Sequence, residues 1–110
     1  MSHVTTHVLN AVTGLPAVGL AVSLQGRGAD GWEGVGSGVT DDDGRVRELG
    51  PESLEPGTYQ VRFETGMYFA AHNQETFYPQ IIIAFEVAEG QHYHVPLLLS
   101  PFAYSTYRGS

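Results

Sequence analysis

The sequence predicts an all-β domain folded as a sandwich of two antiparallel sheets. Its 110 residues contain fourteen glycines and six prolines, which separate short runs rich in β-branched and aromatic residues. Several of these runs alternate larger apolar side chains with small or polar ones, as strands with one buried face do. A chain of this length is typical of one domain, so we assign residues 1–110 to a single unit and expect residues 1–5 to form a flexible tail.

Eight runs are expected to form strands. In chain order they are 6–12, 20–25, 32–35, 45–47, 59–64, 81–87, 92–99 and 102–107. In the clearest run, Tyr59, Val61 and Phe63 face one way and the polar residues between them face the other. The run Ile81–Val87 is apolar on both faces, as a central strand or a strand at an interface would be.

The segments between the runs carry loop, turn and helix signals. Glycine content predicts loops at 26–31 and 36–38, and 49–56 is expected to be a further loop. Thr40–Arg45 predicts a turn, with Asp and Gly where the backbone needs positive φ. Gly66–His72 departs from strand alternation and predicts one or two helical turns. Together these elements predict about eight strands in two sheets and one short helix.

Charge and composition exclude several classes of protein. The net charge is −7, with five basic residues, all of them arginine. An acidic chain of this kind is not expected to bind nucleic acid or an anionic membrane. There is no cysteine, and no apolar run approaches the roughly 20 residues of a membrane helix. No signal peptide is visible at the start, so a cytoplasmic location is expected.

Two histidines are placed on one face of a predicted strand. His92 and His94 are two residues apart, whereas Tyr93 and Val95 point to the opposite face. One interpretation is that both imidazoles face solvent or pair with the acidic surface. A second is a zinc site with His7 as third ligand, although no further ligand is indicated by spacing. A third is metal-free acid–base chemistry, because imidazole exchanges protons near neutral pH.

The end of the chain favours the third interpretation. Chain ends usually fray, but Phe102–Arg108 stays aromatic and β-prone. A strand of this kind would place the Arg108 guanidinium and the Ser110 hydroxyl and terminal carboxylate near one another. Arginine offers a planar fork that suits a carbonyl-rich or anionic substrate.

Four motifs give the chain a resemblance to a known family. They are Thr6–Asn10, Asp42–Arg45, His92–Ser100 and Tyr104–Ser110. With Gly57–Gly66 and Phe77–Pro79 between them, they resemble the 5-hydroxyisourate hydrolases, which are the transthyretin-related enzymes of urate breakdown. The likeness extends from Thr6 to Ser110, and the His92–Ser100 run and the terminal Tyr-Arg-Gly-Ser are its most specific parts.

The resemblance implies a fold, an assembly and a reaction. The fold would be a transthyretin-like sandwich of two four-stranded sheets with one short helix. The protein would be a homotetramer, a dimer of dimers, with active clefts lined by two subunits. It would hydrolyse the cyclic amide of 5-hydroxyisourate to 2-oxo-4-hydroxy-4-carboxy-5-ureidoimidazoline, with no metal and no organic cofactor.

The resemblance also implies roles for particular residues. His7, Arg45 and His94 match the family's catalytic trio, and Ser110 would close the site. Either histidine would activate water, and Arg45 would orient the ring and stabilise negative charge. The residues expected to line the substrate site are His92, Tyr107, Arg108 and Gly109.

The main competing hypothesis is a non-enzymatic transthyretin-like module that binds a small aromatic ligand. Hormone-binding transthyretins share the implied fold, but they carry other residues at the positions that match His7, Arg45, His94 and the Arg-Gly-Ser end. All of these are intact here, which favours the hydrolase.

Overall fold

The computed structural model describes residues 2–110, and these form nine β-strands and one α-helix. The strands are β1 (Val4–Asn10), β2 (Leu15–Pro16), β3 (Ala21–Gly28), β4 (Gly31–Val39), β5 (Arg45–Val46), β6 (Gly57–Phe63), β7 (Ile81–Val87), β8 (Tyr93–Leu99) and β9 (Tyr104–Thr106). The helix α1 (Thr65–Ala71) follows β6, which confirms the predicted helical turns. No helix within the described residues is long and apolar enough to cross a bilayer.

The strands form two sheets, as the predicted sandwich requires. The first has the order β2-β1-β8-β9, and the second has the order β4-β3-β6-β7. The first sheet contains five strands rather than four, because the two-residue strands β2 and β5 pair with opposite halves of β1. Another difference from the prediction is that β1 and β8 run parallel, with Thr5 opposite His94.

The core lies between the sheets and follows from the alternation of side chains. Tyr93, Val95, Leu97 and Leu99 of β8 are all buried, whereas His94 is half-buried and Leu98 is exposed. Burying a Val, Leu or Phe side chain stabilises a fold by about 1.5–3 kcal/mol, so such a stripe fixes which face of the strand turns inward. The fully buried members of the core include Val4, Val8, Leu20, Leu24, Val61, Phe63 and Leu99.

The glycine-rich segment forms a hairpin: of the loop predicted at 26–31 only residues 29–30 form a turn, and the loop predicted at 36–38 is wrong because these residues lie in β4. β3 and β4 pair from Ala21 with Val39 to Gly28 with Gly31, with one irregularity next to Gln25. A Cβ at Gly36 would lie 2.5 Å from Cα of Gly50, so this glycine lets the 49–56 loop pack directly on the strand. The glycines therefore mark a close backbone approach and not a break in the sheet.

The start of the chain is folded, contrary to the expected tail over residues 1–5. Ser2 and His3 are 2% and 8% exposed, and β1 begins at Val4. The ring of His3 accepts the Leu54 N–H at Nδ1 (2.8 Å) and hydrogen-bonds the Gln91 carbonyl through Nε2. These contacts hold the chain start between two loops; Met1 lies outside the described residues.

Strand β7 is an edge of the second sheet, so the central position considered for Ile81–Val87 does not apply. Its inward residues Ile81 and Val87 are buried, while Ile82 keeps 42% of its surface exposed. The second face of this strand, which carries Ile82, Ala84 and Glu86, is therefore not covered by any part of residues 2–110.

Candidate active site

A pocket of about 270 Å³ opens where β1, β5 and β8 meet. It is lined by two of the three predicted catalytic-trio residues, Arg45 and His94, and by Ser110 from the end of the chain. Its lining residues are Thr5, Thr6, Arg45, Arg47, His92, His94 and Ser110.

His94 is held in this pocket by the parallel pairing of β1 and β8. The pairing sets Thr5 opposite His94, and Oγ1 of Thr5 lies 2.8 Å from Nδ1 of the ring. Because Nδ1 is engaged, Nε2 is the ring nitrogen left for a reactant. Oγ1 of the same threonine also lies 3.1 Å from Nε2 of His92, which is exposed.

The surroundings of His94 favour its neutral form. Burial is the largest cause that lowers its pKa from the ordinary 6.5, followed by the positive charges of Arg45, His7 and His92. A hydrogen bond with the Thr5 backbone acts in the opposite direction. A half-buried imidazole that stays neutral at physiological pH has a lone pair available to take a proton from water.

Arg45 is positioned by the turn that precedes it. Oδ1 of Asp41 accepts the N–H groups of Asp43 and Arg45, each at 2.9 Å, and Gly44 adopts a φ of 76°. A Cβ at Gly44 would lie 2.4 Å from the Val8 carbonyl oxygen, so the predicted turn requires glycine for space as well as for φ. Among the described residues, the guanidinium of Arg45 has no hydrogen-bond partner, which leaves its donors for a ligand.

The same turn also sets the tautomer of His7. His7 pairs with Arg45 across β1 and β5, and its Nε2 lies 2.8 Å from the carbonyl oxygen of Asp43. A carbonyl only accepts, so Nε2 carries the proton and Nδ1 has the lone pair in the neutral ring. His7 is half-buried and does not line the pocket, but it pairs with Arg45, which does, and it contributes electrostatically to the lowered pKa of His94.

Gly109 brings the end of the chain against His94. Its N–H donates to the His94 carbonyl at 2.9 Å, and a Cβ at this position would lie 2.6 Å from Cδ2 of the imidazole. Only a residue without a side chain allows this approach. Ser110 consequently lines the pocket beside both histidines.

Tyr107 and Arg108 lie beside the pocket instead of lining it. They border a neighbouring cavity of about 360 Å³, which also touches His94. Nη2 of Arg108 donates to Oε1 of Gln91 at 2.7 Å, and its guanidinium lies 4.7 Å from the centroid of the Tyr93 ring. The Arg108 guanidinium and Ser110 were expected to lie in one pocket, but they line two neighbouring cavities.

Three lining residues were not predicted from the sequence, namely Thr5, Thr6 and Arg47. Strand alternation could have indicated two of them, because Thr5 shares a face of β1 with His7, and Arg47 follows Arg45 by two residues. Among residues 2–110 there is no group of three His, Asp or Glu side chains arranged to hold a metal ion.

Comparisons with known proteins agree with this architecture. The HIUase/Transthyretin family model matches residues 4–109. The chain is 46% identical over 108 residues to the 5-hydroxyisourate hydrolase of Salmonella typhimurium, covering 96% of this chain and 79% of the relative. The solved structure of Klebsiella pneumoniae 5-hydroxyisourate hydrolase superposes with a TM-score of 0.88 at 37% identity, covering 97% of this chain and 98% of that one. Transthyretin from Sparus aurata gives a TM-score of 0.93 at 34% identity, with 99% and 97% covered.

Proposed function

The chain belongs to the HIUase/transthyretin family, and on this premise we propose that its pocket hydrolyses 5-hydroxyisourate. The observation that carries the proposal is that His94, whose neutral form is favoured by its surroundings, shares one pocket with the guanidinium of Arg45, which has no hydrogen-bond partner within residues 2–110. Hydrolysis of an amide is accelerated by a proton acceptor for water and by a hydrogen-bond donor or cation that stabilises the oxyanion, and these two side chains supply both.

The reaction follows from these positions. Nε2 of His94 takes a proton from water as the water oxygen attacks the amide carbonyl carbon of the ring. Arg45 stabilises the oxyanion that forms on the carbonyl oxygen. The carbon–nitrogen bond then breaks, and the leaving nitrogen takes a proton from the protein. The products are the ring-opened acid and a regenerated site.

The remaining predicted residues have supporting roles. His7 adds a second imidazole whose free Nδ1 accepts a hydrogen bond from substrate or water. Ser110 closes the pocket at the His94 side, Gly109 packs against His94 without lining the pocket, and the exposed His92 lines it. Tyr107 and Arg108 contact the part of the substrate that reaches the neighbouring cavity.

The alternative function is a binding module for a small aromatic ligand. The chain is more similar in sequence to the Salmonella typhimurium hydrolase, at 46% identity, than to the transthyretin from Sparus aurata, at 34%. A polar pocket with two imidazoles and two guanidinium groups also suits a carbonyl-rich heterocycle better than an apolar ring. Both points favour the enzyme.

We propose that the protein acts as a homotetramer, arranged as a dimer of dimers, in the cytoplasm. The exposed apolar residues support an assembly, because a monomer rarely leaves so many large side chains uncovered on two edge strands and the segments around them. They are Ile82 on β7, Leu98 on β8, and Phe102, Tyr104 and Tyr107 around β9. Sedimentation at micromolar concentration is expected to give a mass four times the 11.9 kDa of one chain.

The test of the activity is direct. Urate oxidation generates 5-hydroxyisourate, and the decay of its ultraviolet band is followed with and without the protein. The purified chain is expected to accelerate the decay, and His94→Asn is expected to abolish the acceleration. Decay at the spontaneous rate by the folded wild-type tetramer would remove the proposed function.

A further inference from the structure

One hydroxyl group lies between the two histidines of the pocket. Oγ1 of Thr5 is 2.8 Å from Nδ1 of His94 and 3.1 Å from Nε2 of His92. Thr5 is only 7% exposed, and its position in β1 is fixed by the pairing with β8. The three groups therefore form a continuous chain of hydrogen bonds, from a half-buried ring to an exposed one.

A hydroxyl group has a single proton to donate, so it cannot donate to both rings. If Thr5 donates to His92, it must accept from His94, and His94 then carries its proton on Nδ1. If Thr5 donates to His94, it must accept from His92, and the proton of His94 then lies on Nε2. The orientation of one hydroxyl thus decides whether Nε2 of His94 is a base or an acid.

We propose that Thr5 is a positioning residue whose hydroxyl links His94 to His92 in a proton relay. In the resting state, Nδ1–H of His94 donates to Oγ1 of Thr5, and the Thr5 hydroxyl donates to Nε2 of His92. Nε2 of His94 is then unprotonated and faces the pocket as the base. This inference rests on the hydrolase function proposed above.

The relay accounts for every proton in the reaction. As water attacks, its proton passes to Nε2 of His94, the Nδ1 proton of His94 passes to Oγ1 of Thr5, and the Thr5 proton passes to Nε2 of His92. His92 becomes the cation, and His94 is neutral with its proton on Nε2. When the carbon–nitrogen bond breaks, that proton goes to the leaving nitrogen, and the protons between the three residues return to their first positions.

The charges around the three residues favour proton transfer from His94 towards His92. The cation on His94 would be half-buried and near the guanidinium of Arg45 and the ring of His7, all of which oppose it. The other residues that line this pocket are Thr6, Arg47 and Ser110. The cation on His92 is exposed to water, which solvates it. The positive charge is therefore more stable on His92 than on His94, and proton transfer towards His92 is favoured.

The experiment compares Thr5→Val, which has almost the same shape but no hydroxyl, with Thr5→Ser, which keeps the hydroxyl. Thr5→Val is expected to lower kcat about tenfold to a hundredfold with little change in KM, which is at most the lower limit of the roughly hundredfold to ten-thousandfold that acid–base catalysis supplies. Thr5→Ser is expected to restore most of kcat. Thr58→Val removes an exposed hydroxyl that bonds Glu86 on the other sheet, and it is expected to leave kcat unchanged.

A second measurement detects the hydrogen bonds of the relay in the absence of substrate, through the tautomers of the two histidines. Nitrogen NMR of the imidazoles is expected to show His94 and His92 with their protons on Nδ1 in the wild type and in Thr5→Ser, and both rings are expected to lose this bias in Thr5→Val. Thr5→Ala is the substitute if Thr5→Val does not fold.

The relay is overturned if the variant without the hydroxyl has the wild-type kcat or unchanged tautomers. It is also overturned if Thr5→Ser is as slow as Thr5→Val. If the wild type has no hydrolase activity, the proposed function fails and the tautomers alone decide whether Thr5 links the rings.

Discussion

Gly109 lies against the imidazole of His94 so closely that no side chain fits between them. A Cβ at this position would be 2.6 Å from Cδ2 of the ring and 3.2 Å from Cγ of Pro96. The backbone bond from the Gly109 N–H to the His94 carbonyl holds the two residues together. The orientation of the His94 ring and the position of the chain end are therefore set by the same contact.

Gly109→Ala is expected to lower kcat/KM about tenfold or more, because a misplacement of about 1 Å in a reacting group costs up to a hundredfold. The melting temperature should change little, since Gly109 lies near the end of the chain. Gly34→Ala is the matched control, because a Cβ there meets nothing within 4 Å. Steady-state kinetics of both variants test this, and equal kinetics would contradict the close contact.

Arg45→Gln is expected to lower kcat about a hundredfold to a thousandfold, as removal of an oxyanion donor does. It should also move the acidic limb of the kcat/KM profile. The charge of Arg45 lowers the pKa of His94, so without it the pKa rises and the base is protonated at higher pH. The limb therefore shifts to higher pH.

Arg27→Gln removes a charge from β3 and serves as the control for Arg45→Gln. A pH–rate profile of each variant gives the position of the limb. An Arg45→Gln limb at the wild-type position or below it would show that His94 does not act as the base under the influence of Arg45.

Asp41→Ala is expected to lower kcat/KM severalfold, because the Arg45 N–H then loses the carboxylate oxygen that fixes the turn. Asp41→Asn keeps an oxygen at this position and should retain more of the activity. If Asp41→Asn is as slow as Asp41→Ala, then the charge of Asp41 matters for activity rather than its hydrogen bonds.

Asp41→Asn also tests how the stability of the fold depends on pH. Hydrogen bonding from the Arg45 backbone is the largest cause that lowers the pKa of Asp41 from 3.8. Its carboxylate therefore stabilises the folded state above pH 3.8, and this contribution disappears as the pH falls through the lowered pKa. Calorimetry is expected to show a steeper loss of Tm in acid for the wild type than for Asp41→Asn.

His3→Ala is expected to reduce the free energy of unfolding by about 1–3 kcal/mol, because the Leu54 N–H loses its acceptor in a buried position. Val12→Ala is the control, since Val12 is 65% exposed. Urea unfolding at one fixed protein concentration measures both variants, because the proposed tetramer would make stability depend on concentration. Equal unfolding free energies would mean that the chain start is not held by His3.

Side-chain alternation predicts much of this site correctly. It places His92 and His94 on one face and Tyr93 and Val95 on the other, because a strand with a buried face cannot shift by one residue without exposing its core. The turn before Arg45 is equally local, since Asp and Gly supply its hydrogen bonds and its positive φ. These features depend on neighbours in sequence and are accessible without a structure.

Features that depend on residues far apart in the sequence could not be predicted from local patterns. Thr5 is missed because the sequence predicts β1 to begin at Thr6, and only the pairing with β8 extends the strand. The hairpin through Gly36 is read as a loop because its stability comes from packing against Gly50 and not from local propensity. The sequence does not show that His3 is ordered, because its partners Leu54 and Gln91 lie in loops far along the chain.

The parallel pairing of β1 with β8 has a consequence for how the protein folds. Thr5 and His94 are 89 positions apart, so their contact requires almost the whole chain to be collapsed around the first strand. Contacts of such long sequence separation form slowly, since the entropy of closing the loop is lost before the contact contributes any stability. Activity should therefore be among the last properties to return when the denatured chain is diluted into buffer, well after most of the secondary structure.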